Sequence, residues 1–406
     1  MTNVKKLGVL DLFSGAGGFS LGFQKAGCQI LGAIEFDKWA ADTFEFNHKG
    51  SKVLLGDIRK FSNEFIAKEI KKKPDIIIGG PPCQGFSICT KNAGDPKDPR
   101  NSLFIEFVRI AKYFMPSIIV MENVPNIMNA KTKKGEMVVD IIEAEFSSLG
   151  YNVNKKILTA SDYGVPQRRQ RFVLVATKKK IKQPFPQKKY ITEEEKKSFL
   201  PLVDGDISKL KDCPTLWDAI SDLPDIEACE GAEEMEYTHE AKNDFQKLCR
   251  EGASKLYNHL AMKHTKRVVE RFKLMKWGES VSDITDERFK QRKRNGNGIV
   301  SDKPYDQNNR RMHPDRICNT ITAAFYGNFV HPYKNRNFTA REGARIQSFP
   351  DSYVFLGKPT VVSKKLLERE GRKGEAFLCQ YSQIGNAVPP LMAQAIAENI
   401  IRQIKE

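Results

Sequence analysis

PDIIIGGPPC, residues 74–83, decides how the chain is read. Three consecutive isoleucines make a short, continuous apolar run, the mark of a strand buried on both faces as in parallel sheets. Two glycines and two prolines then end the strand in a stiff turn, and that turn presents a thiol, Cys83, instead of burying it. The same plan recurs on either side. KLGVLDLFSG (6–15), ILGAIEFD (30–37), KVLLGDI (52–58), PSIIVMENV (116–124) and RFVLVAT (171–177) are apolar runs, most of them followed by glycines or acids. FSNEFIAKEI (61–70) and GEMVVDIIEAEFSSLGY (135–151) lie between them with helical spacing of apolar residues. Strands alternating with helices predict an α/β fold, a doubly wound, mostly parallel sheet, with ligands beyond the carboxyl ends of its strands.

The residues at those ends have a chemistry. In DLFSGAGGFSLGF, Gly15, Gly17 and Gly18 allow close approach to a ligand. The dinucleotide pattern G-x-G-x-x-G fails at its last position, which is Ser20, so a pyrophosphate cradle and a nicotinamide oxidoreductase are disfavoured. Glu35 ends the second strand, where a carboxylate can accept two bonds from a ribose diol. Asp57 ends the third, within reach of an adenine amino group. Singly each acid reads as a surface or capping residue. Together they describe a pocket for an adenosine without phosphates, which S-adenosylmethionine fits.

A free thiol is only ~3% thiolate at pH 7, and lowering its pKa to ~7 makes it about half thiolate, so Cys83 needs a cationic neighbour or a helix N-terminus to be reactive. Glu122, in MENV, ends the fifth strand and is expected to face the same cleft, where partial burial would let it act as a proton donor. YGVPQRRQRF brings Arg169 and Arg171 just ahead of the last strand, two apart and expected on one side.

Composition bounds the rest. The chain has 406 residues, 40% hydrophobic and 29% charged, with a formal net charge of +16. That excess suits a polyanionic partner, with a solubilising lysine surface as the plain alternative. No N-terminal signal and no membrane-length apolar stretch are evident, and eight scattered cysteines without a C-x-x-C pair argue against zinc and for a reducing cytoplasm. The sequence divides into a catalytic and cofactor domain (1–178), a small domain (179–371) entered by the basic linker KKKIKQPFPQKKY, and a C-terminal segment (372–406) whose helix packs back onto the first domain. Within the small domain, about 190–335 reads as a target-recognition region. TEEEKKSF (192–199) opens with a capping box, Thr192 and Glu195.

These motifs, in this order, resemble the DNA (cytosine-5)-methyltransferase family of bacterial restriction–modification type. DLFSGAGGF resembles its cofactor loop, GGPPCQGFS its catalytic loop, ENV its acid motif and QRRQR its arginine motif. REGARIQSFPD (341–351) and QIGNAVPP (383–390) resemble the closing motifs. Residues 180–330 match weakly apart from TLWDAISDLP and TITA. The resemblance implies a Rossmann-like catalytic domain using S-adenosyl-L-methionine, with S-adenosyl-L-homocysteine as product and no metal. Phe13, Gly15, Gly17, Glu35, Asp57, Pro82 and Asn386 would line the cofactor site. Cys83 would be the nucleophile, Glu122 the partner of cytosine N3, Arg169 and Arg171 anchors of a flipped base, and Gln167 a support. Residues 84–102 would form a loop closing over DNA.

Double-stranded DNA is then the expected partner, with Ser87, Arg292, Arg294, Arg310 and Arg311 as candidate contacts. The enzyme is expected to be a cytoplasmic monomer, with a cognate restriction endonuclease acting on the same site. An amino-group methyltransferase is disfavoured, since its D/N/S-P-P-aromatic tetrad would need an aromatic where Cys83 stands. A tRNA cytosine-5 methyltransferase and a non-enzymatic DNA-binding regulator stay open as alternatives.

Overall fold

The computed structural model describes residues 6–82, 102–132, 135–198, 207–293, 298–301, 308–360, 364–371 and 377–405. Two compact units emerge: Met1–Gly164 with Arg169–Tyr190 and Ala387–Glu406, and Val165–Arg168 with Ile191–Asn386.

The first unit is built on strands β1 (Gly8–Leu12), β2 (Gln29–Glu35), β3 (Lys52–Leu55), β4 (Ile76–Gly79), β5 (Ile118–Asn123) and β6 (Asn152–Thr159). After β6 the two-residue strand β7 (Gln167–Arg168) belongs to the second unit, and β8 (Gln170–Thr177) returns to the first. The large sheet has the order β3-β2-β1-β4-β5-β8-β6. Neighbours from β3 to β5 are parallel, and β8 runs antiparallel to both β5 and β6. The expected doubly wound, mostly parallel sheet is therefore present. Its order reverses at β1 and β4, the switch point beyond which such sheets bind ligands.

Apolar composition explains the sheet's centre. Ile76, Ile77 and Ile78 are fully buried, as are Phe172, Val173, Leu174, Val175 and Ala176. Gly79 has a specific reason to lack a side chain: a Cβ there would stand 2.2 Å from the Leu12 carbonyl oxygen of β1. Helices α1 (Gly18–Lys25), α2 (Lys38–Asn47), α3 (Asn63–Ile70), α4 (Ser102–Phe114) and α5 (Val138–Ser148) connect the strands. Ile66 and Ile70 of α3 and Phe107, Ile110 and Phe114 of α4 join one core with Leu10, Leu12, Ile77 and Ile119 of the sheet. The C-terminal helix Pro390–Lys405 packs against α1, with Gly22 opposite Ala393.

The second unit is made of short elements, so its order comes from polar networks around buried arginines. Arg345, fully buried in the helix Ala340–Ile346, makes a bidentate pair with Asp351 (2.9 and 2.6 Å) and also binds Asp222. Arg341 donates to the carbonyls of Tyr257, Pro350 and Tyr353. The capping box at Thr192 is formed: Thr192 N–H donates to Glu195 Oε2 (2.8 Å), and Glu195 N–H donates to Thr192 Oγ1 (3.2 Å). No helix is long and apolar enough to cross a membrane among the described residues.

Candidate active site

The carboxyl ends of β1, β2 and β3 build the first half of the site. Beyond β1 the backbone turns through three left-handed residues, Phe13 (φ 60°), Gly15 (54°) and Gly17 (90°). A non-glycine residue there carries strain of about 1–3 kcal/mol, tolerated where surrounding structure over-determines it. The Phe13 and Ser14 N–H groups both donate to the Ile34 carbonyl (3.0 and 3.3 Å), which fixes the turn to β2. A Cβ at Gly15 would meet nothing within 4 Å, so the loop borders open space.

Glu35 organises this loop. Its Oε2 accepts the Gly15 N–H at 2.7 Å, and its Oε1 accepts those of Phe36 and Asp37 at 2.9 and 2.8 Å. Burial raises its pKa above the ordinary value, and the backbone N–H donors partly oppose that. Oε2, with one donor, keeps a lone pair for a further bond. Phe36, directly beside it, is 69% exposed and offers a flat aromatic face. Asp57 is turned locally: its carboxylate caps the turn Ile58–Lys60 through the Arg59 N–H (3.0 Å) and pairs with the Arg59 guanidinium (2.6 Å). Arg59 thereby holds the acid below its usual range.

Two supports of the loop carry no motif signal. His48, buried at the end of α2, places Nε2 3.2 Å from the Gly17 carbonyl and Nδ1 2.9 Å from Gln24 Oε1. A carbonyl only accepts, so Nε2 carries the proton toward Gly17; the neutral ring then accepts at Nδ1, which requires the Gln24 amide to present its NH2 group. Burial pushes His48 down to about 4, so it is neutral at physiological pH. Asp11 of β1 is 1% exposed; its Oδ2 accepts the Ser20 hydroxyl (2.6 Å), while Oδ1 has no hydrogen-bond partner among the described residues. Burial pushes its pKa up to about 8. Ser20, which breaks the dinucleotide pattern, is thus the partner of a buried acid.

The ends of β4, β5 and β8 build the second half. Pro82 is exposed at the last described residue before Cys83, and the Asn123 side-chain amide donates to the Pro81 carbonyl at 2.9 Å. Glu122 pairs with Arg171 (Nε to Oε1, 2.8 Å). Gly80 leaves room beside it: a Cβ there would stand 3.1 Å from Glu122 Oε2. Arg169, 1% exposed, donates from Nη2 to the Ala387 carbonyl at 3.0 Å. Burial, the largest cause, and then the neighbouring Arg171 charge lower its pKa, while Glu122 raises it, so Arg169 stands close behind the Arg171–Glu122 pair.

The remaining candidates belong to the second unit or lie outside the described residues. Gln167 is fully buried, donating to the Ile346 carbonyl (3.1 Å) and Gln347 Oε1 (2.5 Å) and accepting from Ile321 N–H (3.0 Å). Asn386 is exposed at the end of the helix Gln380–Asn386. Arg292 is exposed, and Arg310 donates to the Gly278 carbonyl. Arg311, expected on the DNA face, is instead buried, with its guanidinium bonded to the carbonyls of His331, Pro332, Lys334 and Phe272. Cys83, Ser87, Arg294 and nearly all of 84–102 lie outside the described residues.

Residues 7–402 match the family described as C-5 cytosine-specific DNA methylase. The chain belongs to that family. The methylase is 46% identical over 394 residues to the Type II methyltransferase M.DdeI of Desulfomicrobium norvegicum, covering 97% of this chain and 88% of that one. It is 34% identical over 398 residues to the Type II methyltransferase M1.HphI of Haemophilus parahaemolyticus, covering 97% and 86%. Among solved structures, a putative DNA modification methyltransferase encoded within an E. coli prophage superposes with a TM-score of 0.70 at 26% identity, covering 99% of this chain and all of that one. The methylase is a DNA cytosine-5 methyltransferase, and its family implies S-adenosylmethionine as methyl donor. The free lone pair of Glu35, the exposed Phe36 face and the open space at Gly15 fit an adenosine. Among the described residues no three His, Cys, Asp or Glu side chains are grouped to hold a metal ion.

Proposed function

We propose that the methylase modifies one short DNA sequence in a bacterial restriction–modification setting, acting as a monomer in the cytoplasm beside an endonuclease of the same specificity. The observation that carries the chemistry is the Glu122–Arg171 pair, 2.8 Å apart, with Gly80 of the turn after β4 against Glu122 Oε2 and the Pro81 carbonyl bonded to Asn123.

The target cytosine swings out of the duplex at a cost of a few kcal/mol. The Cys83 thiolate adds to C6, forming an S–C bond, while Glu122 shares or gives a proton at N3 to take up the charge displaced into the ring. C5 thereby becomes an enamine carbon able to attack an electrophilic methyl group. S-adenosylmethionine supplies that methyl when bound. Loss of the C5 proton to a base then expels the thiolate and restores the aromatic ring. Arg171 holds the Glu122 carboxyl in position through Oε1, leaving Oε2 for the base. Arg169 and Arg171 are the proposed anchors of the flipped base, Arg169 from a buried position where it also bonds the Ala387 carbonyl.

Glu35 and Phe36 are the proposed ribose and adenine contacts, with Phe13, Gly15, Gly17 and Pro82 as the other cofactor contacts of the first unit. Asp57 would receive the adenine amino group after exchanging part of its bonding with Arg59. Gln167 has a supporting role within its own unit. Ser87, Arg292, Arg294 and Arg310 are proposed DNA contacts. Bisulfite sequencing of plasmid DNA from cells expressing the wild type or Cys83→Ser tests the reading. Cytosines protected in one recurring sequence, and only with the wild type, are expected; no protected cytosine would overturn it and direct attention to RNA.

A further inference from the structure

The helix Lys266–Lys273 and the segment that follows it show an imbalance of charge that the reaction does not use. Arg267 and Arg271, one turn apart, point to the same neighbour. Arg267 donates from Nε to the Arg288 carbonyl (2.9 Å) and from Nη2 to that of Lys290 (2.7 Å). Arg271, 4% exposed, donates from Nε to the Phe289 carbonyl (2.7 Å) and from Nη1 to Gln291 Oε1 (3.0 Å). Phe289 packs on a small core of Phe272, Met275, Ile284 and Val330, so the base of this segment is firmly rooted. Residues 291–293 pair with 299–301. Arg292 bridges Val300 antiparallel, Lys293 N–H donates to the Ile299 carbonyl (2.9 Å), and Ser301 N–H donates to that of Gln291 (2.8 Å).

The acids nearby are already matched. Asp286 pairs with Arg288, Glu287 with Lys290 and Glu270 with Lys273. Arg267, Arg271 and Arg292 have no ion-pair partner among the described residues. They lie close enough that Arg267 and Arg292 each depress the pKa of Arg271, which burial, the largest cause, and these charges together bring down to about 10. Three guanidiniums gathered without a carboxylate make a site for an anion. Among the described residues Arg292 has no acceptor for its five N–H donors and Arg267 none for its Nη1 pair, in the fork geometry that matches a phosphate.

We propose that Arg267 and Arg292, backed by the buried Arg271, bind a backbone phosphate of the DNA duplex and so hold the rooted segment 288–293 against the substrate. The inference rests on the DNA reading above but assigns positioning, not sequence reading, to these residues.

The test is DNA binding by the full chain, followed by fluorescence anisotropy across a salt series, for wild type, Arg292→Ala, Arg267→Ala and a control, Lys273→Ala, whose charge is matched by Glu270. Each of the two arginine variants is expected to weaken binding to cognate and unrelated duplexes alike and to lower the slope of log K against log salt by about one unit. Arg292→Lys should restore much of the slope. In bisulfite sequencing the sites modified by Arg292→Ala should stay the same sequence. Slopes no lower than that of Lys273→Ala would overturn the proposal. So would a loss confined to cognate DNA with relaxed sequence choice, which would make the cluster a base reader. Failure of the DNA reading itself shows separately, as absence of cytosine protection by the wild type.

Discussion

Arg171 Nε stands 2.8 Å from Glu122 Oε1, both side chains only 12% exposed, where β5 and β8 run antiparallel. The two side chains come from strands whose order in the chain gives no hint of their meeting, and the pair fixes which Glu122 oxygen is available. Glu122→Gln keeps the shape but cannot give up a proton, so kcat should fall about 10²–10⁴-fold with little change in KM for S-adenosylmethionine. Arg171→Lys keeps the charge without the fork and should fall between wild type and Arg171→Ala. Transfer of labelled methyl groups to DNA at saturating cofactor measures this; equal losses for Arg171→Lys and Arg171→Ala would mean the charge alone is not what Glu122 needs.

Glu35 predicts a pH effect on cofactor binding. Its ionised form is the one that accepts the Gly15, Phe36 and Asp37 N–H groups and a ribose hydroxyl, and burial raises its pKa above the ordinary glutamate value. As pH falls, the carboxylate should therefore be lost earlier than for a free glutamate, and KM for S-adenosylmethionine should rise on the acid side while KM for DNA does not follow it. Glu35→Gln should weaken cofactor binding by about 10- to 100-fold where Glu35 is ionised, the range for hydrogen bonds to a charged acceptor, and the gap to wild type should narrow as pH falls. Isothermal titration with S-adenosylhomocysteine across pH checks it; a pH-independent affinity in the wild type would sink the assignment.

His48 holds the Gly17 carbonyl through Nε2, so its loss should loosen the left-handed loop without touching the cleft. His48→Ala is expected to raise KM for S-adenosylmethionine about 2- to 12-fold, the size of one net hydrogen bond. A split in the other direction, with kcat lowered and KM unchanged, would show that the loop is not its target. Because burial lowers the folded pKa to about 4, the ring contributes stability above its unfolded pKa that is lost as pH falls through the folded value.

Asp11 gives the opposite sign. Its folded pKa is pushed up to about 8, above the unfolded value, so its contribution is fully present in acid and is lost as pH rises through 8. Asp11→Asn removes that titration. The variant should gain thermal stability relative to wild type on going from about pH 5 to pH 8.5. Melting curves at the two values decide it, and a constant difference between the proteins would show that Asp11 is not titrating there.

Much of the first unit was legible because strands buried on both faces cannot hide, whether parallel, as IIIG and IIVMEN are to each other, or antiparallel, as RFVLVA is to its neighbours: none has a polar face to alternate with. The strand-end acids were legible for the same reason, as the first polar residues after an apolar run. His48 and Asp11 were not. A histidine in FNHKG and an aspartate inside a strand take their meaning from partners 31 and 9 residues away, and no local period encodes those contacts. Arg169 and Arg171 look equivalent two apart, yet Arg169 is 1% exposed and Arg171 12%, a difference in burial that spacing alone does not encode. The second unit was least legible, since its short helices carry weak periodicity and its order comes from arginines bonding to distant carbonyls.

Arg311 illustrates this best, and its prediction separates structure from binding. Read in sequence beside Arg310 it is one more basic residue of a DNA-facing loop. In the fold its Nη1 donates to the carbonyls of His331 (2.9 Å), Pro332 (3.2 Å) and Lys334 (3.0 Å), and its Nη2 to the Phe272 carbonyl (2.5 Å) and Asn335 Oδ1 (2.8 Å). It ties the 331–335 turn to the helix Lys266–Lys273. The same turn carries Tyr333, packed edge-on to Trp217 and Trp277, and its Pro332 carbonyl accepts the Trp277 indole N–H at 3.0 Å. Arg311→Ala leaves several buried carbonyls unsatisfied and should cost about 2–4 kcal/mol of stability. Arg311→Lys should rescue little, because one ammonium cannot reach acceptors spread over two segments. Denaturant unfolding reads the loss, and DNA binding by the folded protein should keep the wild-type salt slope, unlike Arg292→Ala. A lowered slope with unchanged stability would put Arg311 back on the DNA.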